Sequence, residues 1–359
     1  MAMEEQTGQS SPDRGRRRRP LRWVLTSLLL VAAVVAGLVL WKRTHHTEAD
    51  EGCTVTPAGG KPVTMDLDQG SNAATIAAVT LSRGMPERAL TIALATALQE
   101  SKLRNLEGGD RDSIGLFQQR PSMGWGTPQQ IQDPVYASQK FLDALKKEAP
   151  NYARMPLTEA AQTVQKSGYP GAYAKHEAKA SLLASALTGR APATFSCVVH
   201  SFAEPDPTDP AAAGTTAGTT AAAPAAATAG SGSASASPSG APATGPGSPK
   251  QLTDRLKREF GRAVTAAAGP TSSDARTSTL ALTPDPAANT DTGPDAQRQS
   301  GWAVAEWSVA HAQELGIGTI HFDGKAWRMD RSDAGWTAQP DPAATDRVLV
   351  TLGMPAAKH

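Results

Sequence analysis

The sequence predicts a mainly α fold, with one transmembrane helix in front and a disordered linker and a small α+β domain behind. Three observations carry this. Apolar residues recur at helical spacing through residues 66–190, and few segments there alternate as strands do. Residues 23–41 form an uncharged run behind a cluster of arginines. Every residue from Pro210 to Ser248 is Ala, Gly, Thr, Ser or Pro, a composition that cannot bury a core. The expected organisation is a basic tail (1–22), a membrane helix (23–41), a helical domain (52–200), a linker (203–248) and an accessory domain (249–359).

The membrane expectation rests on length and flanking charge. Arg14, Arg16, Arg17, Arg18, Arg19 and Arg22 precede the run from Trp23 to Trp41, which as a helix would cover roughly 28 Å. Flanking arginines keep their side cytoplasmic, and Trp23 and Trp41 bracket the apolar core, which puts everything after Lys42 outside the cell membrane. A cleaved signal peptide also begins with basic residues and an apolar run. Here the run is longer than usual, and no small-x-small site precedes Lys42-Arg43. The expected location is thus the cell membrane, single-pass, with the following domains extracellular. The only two cysteines, Cys53 and Cys197, fall on that exported side and are expected to form a disulfide worth no more than about 5 kcal/mol of loop entropy.

Within the helical part, Ala73 to Leu81 reads as one helix, stopped by Gly84, and Pro86 suits the first turn of the next. That next helix runs to about Leu103 with Leu90, Leu94, Ala97 and Leu98 on one face. Thr127 and Gln130 form a capping box, and Asp133-Pro134 opens a helix carrying Val135, Leu142 and Leu145. Thr158 to Val164 and Ala172 to Leu187 complete the set. Beyond the linker, Leu252 to Ala267 reads as an amphipathic helix. Trp302, Ala305, Val309 and Ala312 recur at helical spacing up to Gly316. Residues 319–322 and 347–350 read as strands, with Asp323-Gly324 as a turn.

The chemistry centres on Glu100, which ends an apolar helical run, is followed by Ser101, and stands fifteen residues before Gly115-Leu116-Phe117-Gln118. This layout resembles the glutamate-serine and glycine-leucine-methionine-glutamine signature of the lytic transglycosylase and goose-type lysozyme superfamily, with Phe117 in the methionine place. The resemblance covers roughly residues 66–190. It implies a lysozyme-like helical domain that cleaves the β-1,4 bond between N-acetylmuramic acid and N-acetylglucosamine in peptidoglycan. Glycosidic cleavage needs a proton donor at the leaving oxygen. Ala93, Thr96 and Ala97 give Glu100 an apolar flank, and the end of a helix opposes a carboxylate, so both favour the neutral acid.

The family's single-glutamate mechanism closes a 1,6-anhydro ring with help from the substrate's N-acetyl group. A hydrolase would instead orient a water with a second carboxylate, for which Asp110 and Asp112 are the candidates. Ser101, Gly115, Gln118, Trp125 and Tyr169 are expected to line the substrate groove. Where the family carries tyrosine-asparagine-alanine-glycine, this chain has Gln165-Lys166-Ser167-Gly168, and Tyr169 or Tyr173 is left to fill the gap. A peptidoglycan-binding anchor without turnover is the non-enzymatic alternative.

Other chemistries find little footing. No cofactor is expected, since no Gly-rich loop leads from a strand to a helix, and no nucleic-acid partner is expected. No metal site is expected: neither cysteine has a second ligand at metal spacing, and His311 and His321 lack a metal-ligand partner set. The tryptophans of the accessory part fit core packing better than sugar binding. The segments 301–307 and 323–327 resemble modules attached to exported actinobacterial cell-wall proteins.

Overall fold

The computed structural model describes residues 31, 32, 34, 49–203, 247–271, 274, 276–285, 295–339 and 346–354. The chain divides into two units, Met1–Ala49 and Asp50–His359. In the first, Val31, Ala32 and Val34 are helical and exposed. The second contains all the elements that follow.

Its centre is α1 (Leu67–Ser82), which is buried almost all round because its residues are small: Ala73, Ala74, Ala77 and Ala78 let neighbouring helices approach closely. Asp66 and Gln69 form a capping box at its start. The helix α2 (Glu87–Glu100) is buried from Ala89 to Leu98. Then follow α3 (Pro128–Ile131), capped by Thr127 as its sequence predicts, α4 (Pro134–Glu148), α5 (Leu157–Gln165) and α6 (Glu177–Leu187). A 3-10 turn over Pro170–His176 leads into α6.

Two antiparallel sheets frame this bundle, and they correct the mainly α expectation. The first has the order β2-β1-β3, with β1 (Gly52–Val55), β2 (Val63–Met65) and β3 (Phe195–Val198). Each strand has three or four residues, too few for alternation to stand out in the sequence. Cys53 pairs in register with Cys197, and a disulfide joins them across 144 residues. At Gly70 the helix α1 meets this bridge so closely that a Cβ would run into Cys53 Sγ.

The second sheet has the order β4-β5-β9-β6-β7-β8 and comprises β4 (Val264–Ala268), β5 (Ser278–Pro284), β6 (Ile317–Phe322), β7 (Lys325–Arg328), β8 (Thr337–Ala338) and β9 (Val348–Leu352). The predicted helix over 252–267 is instead α7 (Pro249–Phe260), ended at Gly261 with φ 60°, followed directly by β4. The Ala-rich β4 has low intrinsic strand preference and exists because it pairs with β5. The helix α8 (Ala296–Ala310) is buried from Ser300 onward and leads into α9 (Ala312–Leu315).

The parts on either side of residues 204–246 pack into one unit. Trp327 Nε1 donates to Cys197 O at 3.1 Å, and Trp336 Nε1 donates to Phe195 O at 2.9 Å. The fully buried Glu259 of α7 accepts from Trp307 Nε1 at 2.7 Å, from Thr75 Oγ1 of α1 at 3.1 Å, and from Arg255. Fully buried Glu306 of α8 accepts the backbone N–H groups of Thr194 at 3.1 Å and Phe195 at 3.4 Å.

The membrane expectation is also corrected. Among the described residues no helix is long and apolar enough to cross a membrane. A span takes about 20 consecutive helical residues, and Val31, Ala32 and Val34 are the described part of the run from 23 to 41. This overturns the transmembrane helix and, with it, the single-pass cell-membrane location and the extracellular placement derived from it. The rest of that run, the basic tail (1–22) and most of the linker (204–246) lie outside the described residues.

Candidate active site

Glu100 is the last residue of α2, where the chain changes direction abruptly. Lys102 and Leu103 both take left-handed backbone conformations, with φ 57° and 63°. Such a pair is costly for residues with a Cβ and persists only where surroundings enforce it. The enforcement comes from α1: Gln69 Nε2 donates to Lys102 O at 2.7 Å and Asn72 Nδ2 donates to Leu103 O at 2.9 Å. Leu103 N–H returns to Ala97 O at 3.1 Å, and the Leu103 side chain is fully buried. Two carbonyls that would otherwise lack partners are thus satisfied.

Ser101 ties this helix end to the Gly-Leu-Phe-Gln segment. Its buried hydroxyl lies 2.7 Å from Leu116 O and 3.1 Å from Ala97 O. Gly115, with φ 76°, is wedged where a Cβ would lie 2.7 Å from Ile131 O. Phe117 is buried and stacks on Phe141 with ring centroids 4.6 Å apart, so the residue in the family's methionine place is a core residue. Gln165 Nε2 at the end of α5 donates to Phe117 O at 2.8 Å. Gln118 is half-buried with φ 47°, and its Nε2 donates to Gly115 O at 3.3 Å.

Glu100 itself is half-buried, and Tyr173 Oη donates to its Oε1 at 2.7 Å. The Tyr173 ring is fully buried. Burial, then the bond to Glu100 and the charge of that carboxylate, push the Tyr173 phenol well up, against a smaller opposing effect of a hydrogen bond with Ser167. The phenol therefore stays protonated and remains a donor at all ordinary pH. Tyr173 is the residue that reaches Glu100. Tyr169 is 80% exposed, and its backbone N–H bonds Ser167 Oγ at 3.2 Å. Exposure follows from its place in a 3-10 entry turn before Pro170, whereas Tyr173, four residues on, faces the bundle.

The possible second carboxylates lie in the loop that leads into Gly115. Asp110 is exposed, and its backbone carbonyl closes a turn to Ser113 N–H. Asp112 accepts from Ser122 N–H at 2.8 Å and Arg120 Nε at 2.7 Å. Ser122, through its side chain and its N–H, and then Arg120 hold the Asp112 carboxyl well below the usual carboxylate range. Its oxygens are used in fastening loop 108–122 to itself. An opening of 460 Å³ lies on this loop, lined by Glu107, Arg111, Asp112, Ser113 and Gln132 among others. Trp125 packs partly buried against the core, and its carbonyl accepts from Tyr136 Oη at 3.2 Å.

Among the described residues no group of three or more His, Cys, Asp and Glu side chains is arranged to hold a metal. His311 is buried, with Nδ1 2.9 Å from Trp307 O and Nε2 3.3 Å from Thr75 Oγ1. The constellation around Glu100 can place and orient one carboxyl group, held by a neutral phenol, at the mouth of a loop whose backbone is rigidly fastened.

Comparison with known proteins touches a different region. No curated protein matches the chain. Residues 283–347 match a family model described as VldE, C-terminal domain, a stretch that includes α8, β6, β7 and β8 but neither Glu100 nor Tyr173. The similarity is therefore to a C-terminal VldE domain, over less than half of the chain.

Proposed function

We propose that the chain is a peptidoglycan-cleaving glycosidase, a lytic transglycosylase or muramidase acting on the N-acetylmuramic acid to N-acetylglucosamine β-1,4 bond. The supporting observation is the hydrogen bond of 2.7 Å from Tyr173 to Glu100, at a helix end that Ser101 ties to the Gly-Leu-Phe-Gln loop. Glu100 donates a proton to the leaving oxygen, and Tyr173 fixes the rotamer from which it does so. The carboxylate then takes a proton back from the attacking hydroxyl.

Asp112 is held from the role of a second carboxylate because its oxygens accept from Ser122 and Arg120, which leaves Asp110, exposed on the same loop, as the carboxylate that a hydrolytic route would use. Attack by the substrate's own 6-hydroxyl, giving 1,6-anhydro ends, needs no second carboxylate, whereas the hydrolytic route needs one free to orient water. Digestion of purified sacculi by the full chain tests both levels. Glu100→Gln preserves size but donates no such proton, so turbidity loss is expected to fall at least about a thousandfold with an unchanged melting curve. Mass spectrometry of the products separates anhydro from reducing ends by one water. Equal clearing by the variant and the native protein would remove Glu100 from the chemistry.

A further inference from the structure

The two ends of the larger sheet differ. One is β8 (Thr337–Ala338), which at two residues is too short to template another strand. The other is β4 (Val264–Ala268), five residues long, and among the described residues no strand lies on its outer side. Pairing with β5 fixes which of its backbone groups face outward. Asp285 N–H donates to Ala263 O at 2.7 Å and Gly269 N–H donates to Thr279 O at 2.9 Å, in the same register as the strand between them. Bonded pairs alternate with non-bonded ones along an antiparallel ladder, so Thr265 and Ala267 bond to β5, while Val264, Ala266 and Ala268 turn their N–H and C=O groups to the open side. Pro284, which has no N–H to give, stands opposite Val264 in one of the non-bonded pairs.

Edge strands are ordinarily blunted by charged side chains, proline or a bulge, and Val264-Thr265-Ala266-Ala267-Ala268 has none of these. The strand also matches itself. Laid antiparallel on a second copy about Ala266, it sets Val264 of each chain against Ala268 of the other, and Ala266 against its own counterpart, so outward groups meet outward groups in every bonded pair. A shift of one residue would set them against groups already bonded to β5. The charge pattern allows the same arrangement. Arg262 is the one charged residue in 262–270, and this pairing holds the two arginines at opposite ends of the ribbon, roughly 27 Å apart at 3.4 Å per residue, where salt screens their repulsion. We propose that β4 is a dimerisation edge that takes β4 of a second copy of this chain, joining two six-stranded sheets across a two-fold axis. Main-chain hydrogen bonds supply the attraction. Thr265 and Ala267, both exposed, face each other across the seam in the closer, non-bonded pairs. The proposal is independent of the glycosidase reading.

Sedimentation velocity of the full chain over a concentration series tests it, with two variants that put like charges directly opposite each other across the seam. Thr265→Lys with Ala267→Lys makes one, and Thr265→Glu with Ala267→Glu the other; both change exposed side chains and leave the strand's own bonds to β5 in place. The native chain is expected to pass from monomer to dimer as concentration rises. Each variant alone should raise the dissociation constant at least about tenfold, with circular dichroism showing the fold intact, and an equal mixture of the two should recover the dimer through lysine-glutamate pairs. Amide hydrogen exchange reads the register. On dilution through the transition, Val264, Ala266 and Ala268 should lose protection at least about tenfold, while Thr265 and Ala267 keep theirs. A native chain that stays monomeric, folded like-charged variants that dimerise as the native chain does, or a mixture that fails to pair would each overturn the proposal. Protection of the three outward amides that does not change on dilution would also overturn it, by showing another segment of the same chain on this edge.

Discussion

Glu100 and Glu259 are both carboxylates at the meeting of several elements, yet their surroundings differ in kind. Glu259 is fully buried and saturated: Trp307, Thr75 and Arg255 all donate to it, and His311 stands 3.8 Å away. Glu100 is half-buried and its described side-chain partner is Tyr173. A buried charge whose donors come from both sides of a junction holds that junction, because nothing remains free to act on a ligand. A carboxyl gripped from one side at a helix end keeps an oxygen for chemistry. The same residue type is saturated with donors in one region and, in the other, is open to the chemical role proposed for it.

Breaking the saturated site should have the larger effect on stability. Glu259→Ala leaves Arg255, at the junction, without its buried counter-charge and Trp307 Nε1 without an acceptor. Removal of one partner from a buried pair costs about 3–5 kcal/mol, read as a fall in the denaturation midpoint. Specific activity at temperatures where the variant remains folded should stay close to native. A loss of activity in fully folded Glu259→Ala protein would mean that the junction also shapes the Glu100 site.

Glu306 sharpens the comparison through pH. Its carboxyl is fully buried and raised well above the ordinary value, burial being the cause and the Thr194, Phe195 and Ala193 N–H groups opposing it. The folded pKa thus exceeds the unfolded one, so the folded state binds the extra proton. Its contribution to stability is complete below the unfolded pKa of about 4.5 and is lost as pH rises toward the folded value. His311 runs the other way: burial lowers it, so its contribution is present above about 6.5 and is lost as pH falls. Glu306→Gln keeps an acceptor for Thr194 and should flatten the fall in stability that Glu306 causes above about pH 4.5, so the variant's melting temperature should gain on that of the native protein as pH rises from there. Parallel curves would show that Glu306 does not change protonation on unfolding in this range.

How much of this was legible in the sequence depends on the distance over which each feature is determined. The helices α1 and α2 were, because their apolar periodicity and their breakers, Gly84 and Pro86, are local. The end of α2 was read three residues too long, since the left-handed Lys102-Leu103 pair is imposed by Gln69 and Asn72 from another helix. β4 reads as helix in the sequence because Ala266-Ala267-Ala268 outweigh the strand preference of Val264 and Thr265 until β5 supplies a partner. The Glu100 motif stood out by spacing. Its hydrogen-bond donor was legible only as a choice between Tyr169 and Tyr173, because Tyr173 lies 73 residues away in a segment where Gln165 to Gly168 departs from the resembled pattern. The contact between Thr75 and Glu259 spans 184 residues and has no local sign at all.

The smallest expected effect is the most informative about Glu100. Tyr173→Phe removes one hydroxyl and keeps the buried ring, so packing against the bundle is conserved. The lost bond leaves a carboxylate that water can reach, and a net hydrogen bond of this type contributes about 1 kcal/mol, which sets the expected loss of stability. If Tyr173 fixes the Glu100 rotamer, kcat on sacculi or soluble strands should fall roughly tenfold while KM is unchanged, because orientation matters in the transition state and not in strand binding. A rise in KM at constant kcat would instead make Tyr173 part of the groove wall. A native kcat with native KM would leave the bond of 2.7 Å a structural one and return the positioning of Glu100 to the helix end alone.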